Sequence, residues 1–458
     1  MDDLLRAAAE RSIRYLAGRD ARPVGPMPGA VERMAALGGS LPEEPSDPAA
    51  VLALLDEVGS PATVVSTGGR YFGFVTGGSL PAALAANWLA AAWDQNAFSR
   101  TTSPVAAVLE DIALAWLVEV LRLPAGTVGA FVTGATMANF TALAAARHAV
   151  LARAGWDVEA HGLFGAPPIS VVVGAEAHPT VFKALGLLGL GRDRVVRVPV
   201  DDQGRMRADA FPRLEGPAIV CLQAGNVNTG AMDPFAALCP LAREAGAWIH
   251  VDGAFGLWAA AAPGRAHLLA GVELADSWAT DAHKWLNVPY DSGLAFLRVG
   301  EALRAAMAVS AAYLPEMASR EPGQYTPDSS RRARGVEVWA ALRSLGRAGV
   351  ADMVERTCRH AERFAAGLRA AGYEVLNEVV INQVLVAFGD AETTRAVVAG
   401  VQKDGTCWCG PTVWQGRTAM RISVSSWATT EADVERSLAA MLRIAGERKV
   451  GKLAIGGS

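Results

Sequence analysis

The sequence has no stretch fit to cross a bilayer: its most apolar run, Leu80 to Trp93, is too short and is interrupted by Asn87. The start, Met1-Asp-Asp-Leu-Leu-Arg6, lacks the basic region and apolar core of a secretory signal, so a cytoplasmic protein without a membrane partner is expected. Basic blocks are missing until the short segment Arg443 to Lys452. With a formal net charge of -4 and a pI near 6.0, the chain offers no field for nucleic acid. Cysteine is scarce, five in number at 221, 239, 358, 407 and 409. Cys407-Trp-Cys409 has no second pair and no nearby histidine, which argues for structural thiols and against a metal. There is no G-x-x-x-x-G-K-[ST], no G-x-G-x-x-G after a strand and no internal repeat, so nucleotide binding and solenoid architectures have no support.

What remains is a long, rather apolar globular chain: 458 residues, 51% hydrophobic and 19% charged, enough for more than one domain. Two stretches carry its chemistry. In His250-Val-Asp-Gly-Ala-Phe-Gly256 a carboxylate ends an apolar strand-like run. In Ser277-Trp-Ala-Thr-Asp-Ala-His-Lys-Trp285 a lysine follows a histidine at the end of a second. In an α/β sheet, chemistry collects beyond the carboxyl ends of the strands, and both residues sit at such ends. Lys284 is a candidate imine-forming amine, because lysine condenses with carbonyls and its pKa falls readily on desolvation. Asp252 is the complementary carboxylate. An aspartate that keeps a pyridine nitrogen protonated and an amine for the aldehyde are the two groups pyridoxal 5′-phosphate requires.

In this order and spacing the two stretches resemble the cofactor motifs of the group II pyridoxal-phosphate decarboxylases, the family of the aromatic-L-amino-acid and glutamate decarboxylases. The resemblance implies a fold-type I α/β enzyme: a mostly parallel central sheet flanked by helices, an N-terminal helical arm and a small C-terminal α+β domain. The expected divisions are residues 1–78, 79–345 and 346–458. It further implies a homodimer with its active site at the subunit interface, acting on a small amino-acid substrate.

Other segments fit this frame. Ala130-Phe-Val-Thr-Gly-Ala-Thr-Met-Ala-Asn139 reads as a strand, a glycine turn and a helix start, which makes an anion site from unpaired N–H groups. Gly134, Ala135 and Thr136 are therefore expected to hold the cofactor phosphate. His178, between a buried-looking strand and a helix, matches the family's ring-stacking histidine. Ala254 is expected against the opposite ring face, with Asp281 and His283 near the phosphate or the lysine. Tyr71, Phe72 and Phe74 are candidate walls of a substrate pocket. The family's small polar residue near the ring hydroxyl has no clear match, and Asn226 and Asn228 are the nearest candidates. Arg421 stands where related fold-type I enzymes often bind a carboxylate. Tyr313, in the long Pro- and Ser-rich segment after Met307, resembles the tyrosine of the family's mobile catalytic loop.

The expected reaction is decarboxylation of an L-amino acid, of aromatic type if the Tyr71 to Phe74 run lines the pocket. Lys284 would form the imine, and Asp252 would keep the ring cationic so that it accepts the electrons left by the departing carboxylate. Transamination and oxidative decarboxylation to an aldehyde share the fold and stay open as alternatives, as does a catalytically silent scaffold.

Overall fold

The computed structural model describes residues 1–309 and 319–455. The chain forms two compact units: residues 77–361 with 377–383, and residues 1–76 with 362–376 and 384–458. The N-terminal arm is thus grouped with the C-terminal segment.

The larger unit is built on a sheet of seven strands: β1 (Val128–Val132), β2 (Ser170–Gly174), β3 (Val195–Val198), β4 (Ala218–Gln223), β5 (Trp248–Asp252), β6 (Ser277–Asp281) and β7 (Gly293–Leu297). Their spatial order is β1-β7-β6-β5-β4-β2-β3. Only β7 runs against the rest, pairing antiparallel with β1 and β6. The parallel strands read as continuous apolar runs, such as Val171-Val-Val173 and Ile219-Val220, because helices cover both sheet faces and leave no solvated side for alternation. Parallel registry sets Gln223 beside Asp252 and Asp252 beside Ala279, so the strands deliver their last residues to one rim.

The helices around these strands start with local signals visible in the sequence. Ser103 caps the helix Pro104–Val120 through Ala106 N, with proline in its first turn. His178 caps the helix Pro179–Leu187 in the same way. The helix Ala135–Arg153 is rich in alanine because it is buried along most of its length against the sheet.

In the smaller unit a four-stranded sheet has the order β10-β11-β9-β8, from β8 (Glu374–Val375), β9 (Gln383–Ala387), β10 (Gly410–Trp414) and β11 (Arg417–Ser423). The arm's first helix, Asp2–Gly18, is fixed to the segment after it by Arg11 on Asp56 at 2.8 Å and Tyr15 Oη on Thr63 Oγ1 at 2.9 Å. Backbone bonds then join arm to C-terminal segment. Val24 N donates to Gly405 O, Phe72 N to Trp408 O, and Ser423 N to Phe72 O. The long helix Gly335–Ala370 is broken by a non-helical backbone at Gly346, with φ 60° and ψ 179°.

Gly293 shows how tightly the larger unit is closed at the rim. It opens β7 opposite both Val132 and Asp281, and an added Cβ would run into the backbone of Gly134. Gly293→Ala is expected to lower the unfolding free energy by roughly 1–3 kcal/mol, the usual cost of overpacking. Urea denaturation measures it, and an unchanged midpoint would mean that the Gly134 turn yields freely.

Candidate active site

The carboxyl ends of β5 and β6 and the turn after β1 bring most of the expected residues together. Lys284 Nζ lies 3.0 Å from Asp281 Oδ2, its side chain one-fifth exposed in an otherwise enclosed surround. The other oxygen of Asp281 accepts from Ala135 N at 2.6 Å. One carboxylate therefore connects the lysine to the N-terminus of the helix that begins at Ala135. A helix N-terminus leaves its first N–H groups without intrahelical partners, so Thr136 still offers a donor to an anion beside the one Asp281 takes. Asp281 is thus placed at the expected phosphate cradle, but as an acceptor competing for it.

His283 donates nothing through Nδ1, which accepts from Ser292 N at 3.0 Å. Its proton therefore sits on Nε2, which is 3.7 Å from Asp281 Oδ2. Burial holds the pKa of this histidine down, against the pull of Asp281. Lys284 is also held by its backbone: a Cβ on Gly77 would strike the Lys284 carbonyl, and Trp285 Nε1 donates to Thr357 Oγ1 at 2.9 Å.

Asp252 is 3% exposed, a costly place for a carboxylate without partners. It has two: Oδ1 accepts from Ala254 N at 3.1 Å and Oδ2 from Asn139 Nδ2 at 3.1 Å. The Ala254 carbonyl in turn accepts from Asp281 N at 2.9 Å, which ties the two carboxylate loops together. His178 has its Nδ1 2.8 Å from Thr180 Oγ1 and 3.3 Å from Thr180 N, which sets the ring's orientation. His178, Glu176, Gln223 and Asp252 line one small cleft.

Sequence reasoning missed two residues here. Asn139 lay in plain sight as a polar residue on a buried alanine-rich helix, and Gln223 as the last residue of the strand beside Asp252. Asn226 turns out to build its own loop, its Oδ1 accepting from Asn228 N at 2.9 Å and Thr229 N at 3.3 Å. Gln223, in register with Asp252, is the polar side chain that this segment brings to the cleft.

The three aromatic candidates fall in the smaller unit and differ among themselves. Tyr71 stacks on Trp408 with centroids 5.2 Å apart, and the 67%-exposed Phe74 lies 5.5 Å from the same indole. Phe72 is fully buried, edge-on to Phe364 at 5.1 Å, and so has no face left for a ligand. Burial lowers the pKa of Arg421. Cys407 and Cys409 are buried free thiols, and among the described residues no His/Cys/Asp/Glu cluster could hold a metal. Tyr313 lies outside the described residues. Among those residues no helix is long and apolar enough to cross a membrane.

His250, fully buried behind Asp252, has its pKa pushed down from 6.5 to about 4 by desolvation, although Asp252 pulls the other way. The unfolded chain takes up this proton below about 6.5 while the folded chain refuses it until about 4. Stability is therefore lost as pH falls through that window, on the order of 3 kcal/mol for this group. His250→Gln is expected to flatten that part of the acid profile. Urea midpoints at neutral and mildly acidic pH check it, and an equal drop in both proteins would show that His250 does not titrate there.

Comparison with known proteins places this geometry. Residues 40–389 match the model of the pyridoxal-dependent decarboxylase conserved domain. Tryptophan decarboxylase 1 of Oryza sativa subsp. japonica is 30% identical over 400 residues, 78% of this chain and 76% of that protein. L-2,4-Diaminobutyrate decarboxylase of Rhizobium meliloti (strain 1021) is 31% identical over 389 residues, 80% of this chain and 75% of that one. Among solved structures, Oryza sativa TDC with PLP and tryptamine superposes with a TM-score of 0.88 at 24% identity, covering 98% of both chains, and mouse CSAD in apo form gives 0.88 at 20%, covering 97% and 99%. The buried carboxylate, the lysine and the helix N-terminus fit the ring nitrogen, aldehyde and phosphate of one cofactor, and the chain belongs to the pyridoxal-dependent decarboxylases, lyases that act on amino acids with pyridoxal 5′-phosphate.

Proposed function

We propose that this chain removes the α-carboxylate of an L-amino acid as carbon dioxide and releases the amine, with Lys284, Asp252, His178 and Tyr313 as its working groups. Pyridoxal phosphate, when bound, supplies a carbonyl that condenses with amines and a ring that accepts an electron pair. The protein's share is to hold and bias. The helix start at Gly134, Ala135 and Thr136 takes the phosphate, Ala135 N joining only when it leaves Asp281 Oδ1, Asp252 takes the ring nitrogen, and His178 and Ala254 flank the ring. Gln223 offers an amide beside Asp252, and the Nε2–H of His283 a donor on the phosphate side.

The observation that carries this reading is a pair of carboxylates with separate duties. Asp252 is buried and accepts from two donors, which fixes the direction in which its carboxylate faces a cation. Asp281 keeps the Lys284 ammonium within 3.0 Å, ready to exchange partners when substrate arrives.

The substrate proposed is an amino acid with an aromatic or large apolar side chain. Support comes from the tryptophan and aromatic-L-amino-acid decarboxylases among the relatives. A diaminobutyrate decarboxylase is as similar, so a panel of amino acids assayed for carbon dioxide release decides. We further propose a homodimer, since Leu5, Ile13, Leu55, Trp88 and Leu89 are exposed apolar side chains on the arm and on the helix Pro81–Trp93. The cytoplasm is the compartment expected.

Lys284→Ala should lose turnover and the visible absorbance of bound cofactor while remaining folded. The sequence has five lysines, at 183, 284, 403, 449 and 452, so borohydride reduction and peptide mapping give a clear answer. Label on any other lysine rejects the assignment.

Tyr313 separates decarboxylation from oxidative chemistry. Once carbon dioxide has left, the substrate α-carbon needs a proton, and a phenol can deliver it before oxygen intervenes. Tyr313→Phe should form less amine and instead consume oxygen, with aldehyde and peroxide as products. Amine formation at the native rate without oxygen uptake would remove Tyr313 from this role.

A further inference from the structure

Asp252 is supported from behind by a run of hydrogen bonds that the reaction itself does not account for. Trp248 Nε1, which can only donate, lies 2.8 Å from Ser277 Oγ. Ser277 Oγ is 2.9 Å from His250 Nδ1, and His250 Nε2 is 2.9 Å from Asn139 Oδ1. Asn139 Nδ2 is 3.1 Å from Asp252 Oδ2 and 3.4 Å from Thr180 Oγ1, the hydroxyl that sits 2.8 Å from His178 Nδ1. Asn139, His250 and Ser277 are fully buried.

The direction of every bond in this run is forced. Only the amide nitrogen of Asn139 can donate to a carboxylate, so its oxygen must face His250 and accept. His250 then carries its hydrogen on Nε2. Its ring is neutral, since burial keeps the pKa at about 4, and Nδ1 accepts from the Ser277 hydroxyl. Ser277 in turn accepts from Trp248. The polarity therefore runs one way, from indole to carboxylate. The second hydrogen of the Asn139 amide points to Thr180.

We propose that Asn139, locked by His250 and Ser277, is a positioning residue that holds the Asp252 carboxylate toward the cofactor's ring nitrogen and fixes His178 through Thr180. The inference rests on the reading of Asp252 as the partner of that nitrogen. A carboxylate beside a pyridine can share one proton in two ways, as carboxylate with pyridinium or as carboxylic acid with neutral pyridine. A donor on the carboxylate favours the first and its loss favours the second. The same amide orders His178, so a single residue governs the ring's edge and the side chain expected on its face.

The test is the NMR shift of an isotopically labelled pyridine nitrogen in bound pyridoxal phosphate, which reads ring protonation independently of turnover. The native protein should show a protonated ring. Asn139→Leu should move the signal toward the neutral position, a change of roughly tenfold or more in the proton's distribution. His250→Gln, whose amide can still donate to Asn139, should stay near native, whereas His250→Leu should move part of the way and serves if Asn139→Leu does not fold. Asp252→Asn is the control. If it shifts the signal while Asn139→Leu and His250→Leu do not, those residues only fill space and the relay is overturned. If Asp252→Asn leaves the signal unchanged as well, the reading of Asp252 itself has failed.

Discussion

A carboxylate held inside the protein at the end of β5 is the constraint on which the site depends. A carboxylate taken out of water needs hydrogen-bond donors from the protein in place of those it loses. Asp252 stays useful because the fold brings donors to both oxygens, one from its own loop at Ala254 and one from Asn139 on a helix more than a hundred residues earlier. Ala254 N is available because the chain turns sharply after Asp252. Asn139 is available because the turn at Gly134, pressed against Gly293, sets the helix in register with the strand. A small displacement of that helix would leave the carboxylate with one donor, which gives the buried alanine face and the glycine contacts a chemical as well as a packing role.

Charge balance follows from the same burial. Burial disfavours the charged form of both His250 and His283, against the pull of Asp252 and Asp281. Lys284 answers Asp281 directly. On the proposed reading, the ring nitrogen of the cofactor is the cation that faces Asp252. On the same reading, phosphate capture falls to the dipole and N–H groups at the helix start.

Much of this was legible in the sequence because the groups are local. Asp252 ends β5 and Lys284 follows three residues after β6, both strands recognisable as apolar runs, and the glycine turn before Ala135 announces a helix N-terminus within a few residues. The mostly parallel sheet flanked by helices is expected from the resemblance; its seven strands and their order come from the structure. What could not be read depends on contacts across long separations. Asn139 and His250 stand 111 positions apart and meet only because β1, β5 and the helix between them are packed in one layer order. Gln223 enters the cleft through strand registry, whereas the loop residues Asn226 and Asn228 drew attention by composition. Phe72 and Phe74 lie two residues apart in one aromatic run, yet one is core and the other exposed, because the backbone at Phe74 has turned to φ 55°.

Tryptophan provides the remaining frame, and its polar edge explains where it is placed. Trp248, Trp258, Trp278 and Trp285 are all buried, and each indole N–H has found an acceptor: Ser277 Oγ, Asp281 O, Val272 O and Thr357 Oγ1 respectively. A buried indole needs that partner, so each ring fixes the backbone or side chain it bonds as firmly as its area packs the core. Three of these partners bear on the site. Trp258 holds the peptide of Asp281, Trp285 holds the loop that carries Lys284, and Trp248 starts the relay that ends at Asp252. The large apolar residues that stabilise the sheet are therefore also the ones that aim its catalytic ends, and the precision of the site is a property of the core rather than of the loops alone.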